Sequence, residues 1–269
     1  MTIDYEAEYN NRARVPGHPA VMAGWVRDAA AYRETHPPRA LSYGPGERNR
    51  IDLFAGSGDG PIVVFIHGGY WQSLDGSSFS HCARGLNAHG ISVAVPTYDL
   101  CPAVSVADII TQMRMACREL AKLGHPLVVS GHSAGGHLAA CMLATDWTAF
   151  DASLPKNLVS AAYAISGLFD LPPLVGTSIN KALRLDEASA KAASPLFSAP
   201  PARGSLDAVV GGNESAEYFR QSRTIVEVWG RAIATRFGTV PDANHFAAIA
   251  PLADPNSPMV RRLKELARG

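Results

Sequence analysis

The segment Leu127-Val128-Val129-Ser130-Gly131-His132-Ser133-Ala134-Gly135-Gly136-His137-Leu138 decides the fold. An apolar, β-branched run over residues 127–130 ends directly in Gly131-x-Ser133-x-Gly135, and a helical pattern begins near Gly136. A serine on so sharp a strand-to-helix turn projects from the carboxyl edge of a sheet, and its flanking glycines spare the bend a clashing Cβ. The helix behind it adds a positive N-terminal end. Glycine-rich chains produce G-x-S-x-G by chance, so the strand–turn–helix placement carries the reading.

Working outward, short strand-like runs occur at residues 51–54, 62–66, 91–95, 158–166, 208–210 and 235–240. Helical patterns occupy 19–34, 106–123, 136–144, 215–229 and 258–267. The run Ile62-Val63-Val64-Phe65-Ile66 is apolar throughout, as in a strand buried on both faces. Gly56, Gly58, Gly60 and Pro61 suggest that 51–54 and 62–66 are joined by a tight turn. Alternating strands and helices predict an α/β fold with a mostly parallel central sheet and helices on both faces. One domain is expected over 1–269, with a helical extension over 1–38. Periodicity weakens over 167–201, where Pro172, Pro173, Pro195, Pro200 and Pro201 cluster, so a small cap-like insertion of short helices is expected over a cleft.

Composition excludes several classes. The 24 Lys plus Arg balance 24 Asp plus Glu, and without a basic excess or run the electrostatic footprint of a nucleic-acid binder is missing. No apolar run approaches the roughly 20 residues of a spanning helix. The opening Met1-Thr2-Ile3-Asp4-Tyr5-Glu6 is acidic where a secretory signal would be cationic, so a cytoplasmic protein is expected. Cys82, Cys101, Cys117 and Cys141 show neither zinc nor disulfide spacing, and no metal or cofactor is implied. The expected partner is a small-molecule substrate, and a homodimer is compatible with these properties.

Candidate chemistry gathers at strand ends. Ser133 is the candidate nucleophile. His67-Gly68-Gly69-Tyr70-Trp71 follows the buried run 62–66, and its glycines free the backbone to aim N–H groups into a cleft. Gly69 and Tyr70, with Ala134 after the serine, are the expected oxyanion donors. A serine needs a base with an acid behind it, in the chain order Ser, acid, His. His245, in Pro241-Asp242-Ala243-Asn244-His245-Phe246 after the last strand, fits the base, whereas His67 is better placed to brace its loop. Glu214, after the run 208–210, is the first choice of acid, with Asp170 as main rival and Glu217 and Asp242 behind.

These motifs resemble the kynurenine formamidase (arylformamidase) branch of the α/β-hydrolases. The likeness rests on His67 to Trp71, Gly131 to Leu138, and Glu214-Ser215 followed by Phe219-Arg220-Gln221-Ser222. Tyr9-Asn10-Asn11-Arg12 and Ser166-Gly167-Leu168-Phe169-Asp170-Leu171 extend it over nearly the whole chain. Many members carry Asp where Glu214 stands. The resemblance implies an α/β-hydrolase fold and hydrolysis of N-formylkynurenine to kynurenine and formate. In it Ser133 is the nucleophile, Glu214 the acid and His245 the base. Tyr70 and Trp71 are expected to flank the substrate's ring. Two alternatives stand beside this reading: a carboxylesterase acting on small or aromatic esters, and a non-catalytic small-molecule receptor.

Overall fold

In the computed structural model, which describes residues 3–268, one eight-stranded sheet runs through the molecule in the order β1-β2-β4-β3-β5-β6-β7-β8. Its strands are β1 (Arg39–Ser42), β2 (Arg50–Phe54), β3 (Ile62–Ile66), β4 (Val93–Thr97), β5 (Leu127–His132), β6 (Val159–Ile165), β7 (Ser205–Gly211) and β8 (Ala234–Val240). The helices are α1 (Tyr5–Tyr9), α2 (Asn11–Arg14), α3 (His18–Thr35), α4 (Arg84–Asn87), α5 (Val106–Ala121), α6 (Ala134–Leu143), α7 (Trp147–Phe150), α8 (Asn180–Leu183), α9 (Glu187–Ala192), α10 (Ala216–Trp229) and α11 (Pro258–Leu266). Met1, Thr2 and Gly269 lie outside the described residues, so only Ile3 onward of the acidic opening is placed.

β3, β4 and β5 are buried along their whole length, which is why their sequences carry no polar alternation. From β4 to β8 the pairing is parallel, whereas β1 pairs antiparallel with β2, and β2 with β4. Helices cover both faces. Ile109, Met113, Leu138, Ile225 and Trp229 of α5, α6 and α10 pack on one side, and Trp25, Tyr32, Val260 and Leu263 of α3 and α11 on the other. α5 shows how local sequence starts such a helix. The Ser105 hydroxyl accepts the Asp108 N–H at 3.1 Å, the Asp108 carboxylate accepts the Ser105 N–H at 2.9 Å, and apolar residues then recur on the inner face.

The tight turn expected between 51–54 and 62–66 is not a hairpin. β4 lies between β2 and β3, because a fully apolar β3 is covered by a parallel neighbour at each edge, β4 and β5. The glycine-rich link instead packs against the turn before β4, where the Gly58 N–H donates to the Gly90 carbonyl at 3.0 Å. β1 and the 3₁₀ segment Gly76–Ala83 have no counterpart in the sequence reading.

Residues 167–201 hold α8, α9 and two short 3₁₀ turns, Pro172–Leu174 and Pro195–Phe197. The segment is tied down by the buried Gln221 amide, whose oxygen accepts the Phe169 N–H at 2.5 Å and the Asp170 N–H at 2.8 Å. All four cysteines are buried and unpaired. Among the described residues no helix is long and apolar enough to cross a membrane, and no group of three or more His, Cys, Asp or Glu could hold a metal ion.

Candidate active site

Ser133 sits between β5 and α6 with φ 56° and ψ −118°, a conformation that costs a non-glycine residue about 1–3 kcal/mol and persists only where packing imposes it. The neighbours impose it. A Cβ on Gly131 would lie 2.2 Å from the Gly135 carbonyl oxygen, and one on Gly135 1.9 Å from that of Ile66, so α6 starts in contact with β3 and β5. The serine is thereby held at the carboxyl edge of the sheet, on the floor of a cleft of about 390 Å³.

Glu214 lies in the turn after β7 with its side chain wholly buried. Its carboxylate accepts the Gly211 N–H at 2.7 Å and a short hydrogen bond from the Ser166 hydroxyl. It also accepts His245 Nδ1 at 2.7 Å. With its Nδ1 proton given to the carboxylate, a neutral His245 ring keeps Nε2 as an acceptor. His245 lines the same cleft as Ser133. The His245 carbonyl accepts His132 Nε2 at 2.8 Å, and the two rings lie 4.6 Å apart. Burial, with His245 beside it, holds the pKa of His132 well below the usual histidine value, so His132 braces the loop without adding positive charge.

The loop after β3 takes positive φ at Gly69 (107°), Tyr70 (50°) and Trp71 (56°). It presses on the nucleophile turn so closely that a Cβ on Gly68 would stand 3.0 Å from that of Ser133. Among the described residues, the N–H groups of Gly69, Tyr70 and Ala134 donate to no protein acceptor. His67 Nδ1 is 2.8 Å from the Gly68 carbonyl oxygen, its ring stacks on Tyr98 at 4.2 Å, and burial lowers its pKa to about 4.

Trp71 departs from expectation. It is fully buried, packs edge-to-face on His137 at 5.0 Å, and is no part of the cleft wall. The left-handed turn at residues 69–71 directs Tyr70 to the cleft and sends the next side chain back into the core. Tyr70 does line the cleft. The acid rivals are engaged elsewhere: Asp170 pairs with Arg220 at 2.7 Å, Glu217 accepts the Tyr9 hydroxyl and Arg220 at 2.6 Å, and Asp242 is exposed.

Several residues of the site escaped sequence reasoning. Tyr218 is fully buried, and its ring lies 4.8 Å from that of His245. Asn11 reaches the hydroxyls of Tyr218 at 2.8 Å and Tyr70 at 3.3 Å, and Tyr70 donates to the Tyr9 carbonyl at 2.6 Å. The N-terminal segment is thus a wall of the cleft, which Met22 and Trp25 of α3 also line. The signal available beforehand was the Tyr9 to Arg12 motif itself, which has no apolar period to explain it.

A carboxylate-held imidazole, a serine and free amide donors around one cleft are suited to acyl transfer. Comparison with known proteins agrees with that chemistry. A family model described as an alpha/beta hydrolase fold matches residues 63–220. The kynurenine formamidase of Danio rerio is 31% identical over 238 residues, covering 84% of this chain and 80% of that protein. The kynurenine formamidase of Drosophila melanogaster is 30% identical over 244 residues, covering 84% and 80%. The crystal structure of a protein described as a thioesterase, from Silicibacter sp. TM1040, superposes with a TM-score of 0.84 at 35% identity over 100% of both chains. The chain is therefore a hydrolase of the α/β-hydrolase fold and belongs to the kynurenine formamidase family.

Proposed function

We propose that the protein is a serine hydrolase that cleaves the formyl amide of N-formylkynurenine, or of a similar aryl formamide, to formate and the free aryl amine. The observation that carries the reading is the convergence of Ser133 and the Glu214-bound His245 on one cleft beside unengaged N–H groups. The kynurenine formamidases among its relatives favour this substrate.

Ser133 Oγ attacks the formyl carbon while His245 Nε2 takes the hydroxyl proton, and the resulting imidazolium is held by Glu214. The carbonyl oxygen gains charge against the N–H groups of Gly69, Tyr70 and Ala134. The C–N bond then breaks as His245 returns the proton to the departing nitrogen, leaving a formyl ester on Ser133. Water, deprotonated by the same histidine, releases formate and restores the serine. A formyl group offers the pocket almost nothing to grip, so recognition falls on the aryl amine, and Tyr70 is among the aromatics on the wall, with Trp25 and Phe246, that can meet it.

A second reading, hydrolysis of esters or thioesters, is favoured by the likeness to the Silicibacter protein described as a thioesterase. The two are separated by kcat/KM of the purified protein for N-formylkynurenine and for short aryl esters and thioesters, since specificity is a difference in transition-state binding. The formamidase reading expects the formamide to be the better substrate, and a clear preference for thioesters would replace it.

A further inference from the structure

A second cavity, of about 540 Å³, lies between the last strands of the sheet and α11 and shares no lining residue with the catalytic cleft. Strand register sets its floor. Tyr163 of β6 stands beside Asp207 of β7, which stands beside Arg236 of β8, and the next pair on that face is Val209 and Gly238. Gly238 keeps the space open. A Cβ there would meet only Val209, at an ordinary 3.5 Å, and the residue lies outside the left-handed region, so the backbone does not require glycine.

Three arginines on the wall, Arg236, Arg261 and Arg262, face two carboxylates, Asp207 and Glu265, which leaves one surplus positive charge. Arg262 donates to both Asp207 oxygens, at 2.8 and 3.1 Å, and to Glu265 at 2.9 Å. Arg261 donates to the Asn256 carbonyl at 2.8 Å. Among the described residues Arg236 has no carboxylate partner, because its cross-strand neighbour Asp207 is committed to Arg262. Tyr163 lines the same cavity, is only 4% exposed, and its hydroxyl meets no hydrogen-bond partner among the described residues. Burial and the Asp207 charge raise its pKa, so it is a neutral phenol with a proton to donate. Two donors thus sit on the wall of one cavity for which the chain supplies no acceptor.

We propose that this cavity binds a small aryl carboxylate, its carboxylate taken by Arg236 and Tyr163 and its ring laid over Gly238 against Val209 and Met259. One surplus charge suits a monoanion, and a planar carboxylate matches the guanidinium fork. The apolar walls, which Pro251 and Pro258 extend, favour an apolar body over a bare inorganic ion.

The test titrates the protein with benzoate, read by ligand-observed NMR, with benzamide and inorganic phosphate as comparison probes. Benzoate should bind at least about tenfold more tightly than either. Arg236→Gln changes an exposed side chain, so the variant should fold, and it should weaken benzoate about tenfold or more, the worth of a charge-assisted hydrogen bond. Gly238→Leu should abolish binding by filling the bed of the cavity. Arg12→Gln, on the wall of the catalytic cleft, should leave the affinity unchanged. Equal affinity in the wild type, Arg236→Gln and Gly238→Leu would overturn the inference, as would loss of binding with Arg12→Gln alone, which would put benzoate in the catalytic cleft. So would phosphate binding as tightly as benzoate, or a wild-type protein that binds no benzoate.

Discussion

Glu214 and Asp170 are both acids placed after strands, and their surroundings separate them. The Glu214 side chain is wholly buried with His245, Ser166 and the Gly211 N–H as donors, whereas Asp170 faces Arg220. Glu214→Gln should cut kcat by about 10⁴-fold, the usual cost of losing the group that orients a catalytic histidine. Asp170→Asn should leave kcat within a few-fold and lower the melting temperature, since Arg220 loses one of its two carboxylates. Steady-state kinetics and thermal melts of both variants check this pair. The chain order of serine, acid and histidine made Ser133, Glu214 and His245 legible as candidates, because each follows a strand. The burial of Trp71 was not legible, because the sign of φ in a loop depends on tertiary contacts. Tyr218 was equally hidden, since a tyrosine in a helix reads as core until its hydroxyl partners are known.

At the scale of elements, the β5–α6 turn depends on contacts between backbones. Gly135→Ala would bring a methyl within 1.9 Å of the Ile66 carbonyl, where no flexible side chain can give way. The substitution should destabilise the protein by at least 1–3 kcal/mol, the ordinary cost of overpacking. Denaturant unfolding would show it, and an unchanged midpoint would mean that α6 can slide on the sheet. The apolar runs and amphipathic periods located every strand but β1, with β3 and β6 covered over their full length and β4, β5 and β7 only in part, and the longer helices. The segments that were missed are those whose structure comes from capping and ion pairs. Gly76–Ala83 starts at Asp75, which accepts the Ser77 N–H at 2.9 Å and pairs with Arg50 at 2.8 Å. Burial would raise the Asp75 pKa, but the hydrogen bonds from Ser77 and the Arg50 charge outweigh it and hold it at about 2. The β2–β3 link misled for a related reason: glycines mark close approach of backbones as readily as hairpin turns.

Across the whole molecule, the cleft is assembled from six segments far apart in the chain, including Tyr9 to Arg12, the Gly69 loop and the loop at His245. No local pattern could reveal that convergence, although the family motifs outlined much of it. The interior also holds buried histidines that resist protonation. Burial lowers the pKa of His67, His81 and His137 to about 4 each, and that of His132 well below the ordinary value. Their folded pKa values lie below the unfolded value of about 6.5, so the unfolded chain binds protons that the native state refuses. Stability should be full above about pH 6.5 and fall as the pH drops toward 4, by about 1.4 kcal/mol per pH unit for each proton involved. Urea unfolding at a series of pH values should show an uptake approaching four protons near pH 5. A flat profile there would mean that these histidines are accessible to water in the native state.

The most direct test of the proposed reaction is kynurenine release from N-formylkynurenine by the wild-type protein and by Ser133→Ala, at equal concentrations of folded protein. The wild-type protein should turn over, and the variant should fall by about 10⁶-fold in kcat, toward the uncatalysed rate. Release by the variant at an undiminished rate would contradict the assignment of Ser133 as the nucleophile.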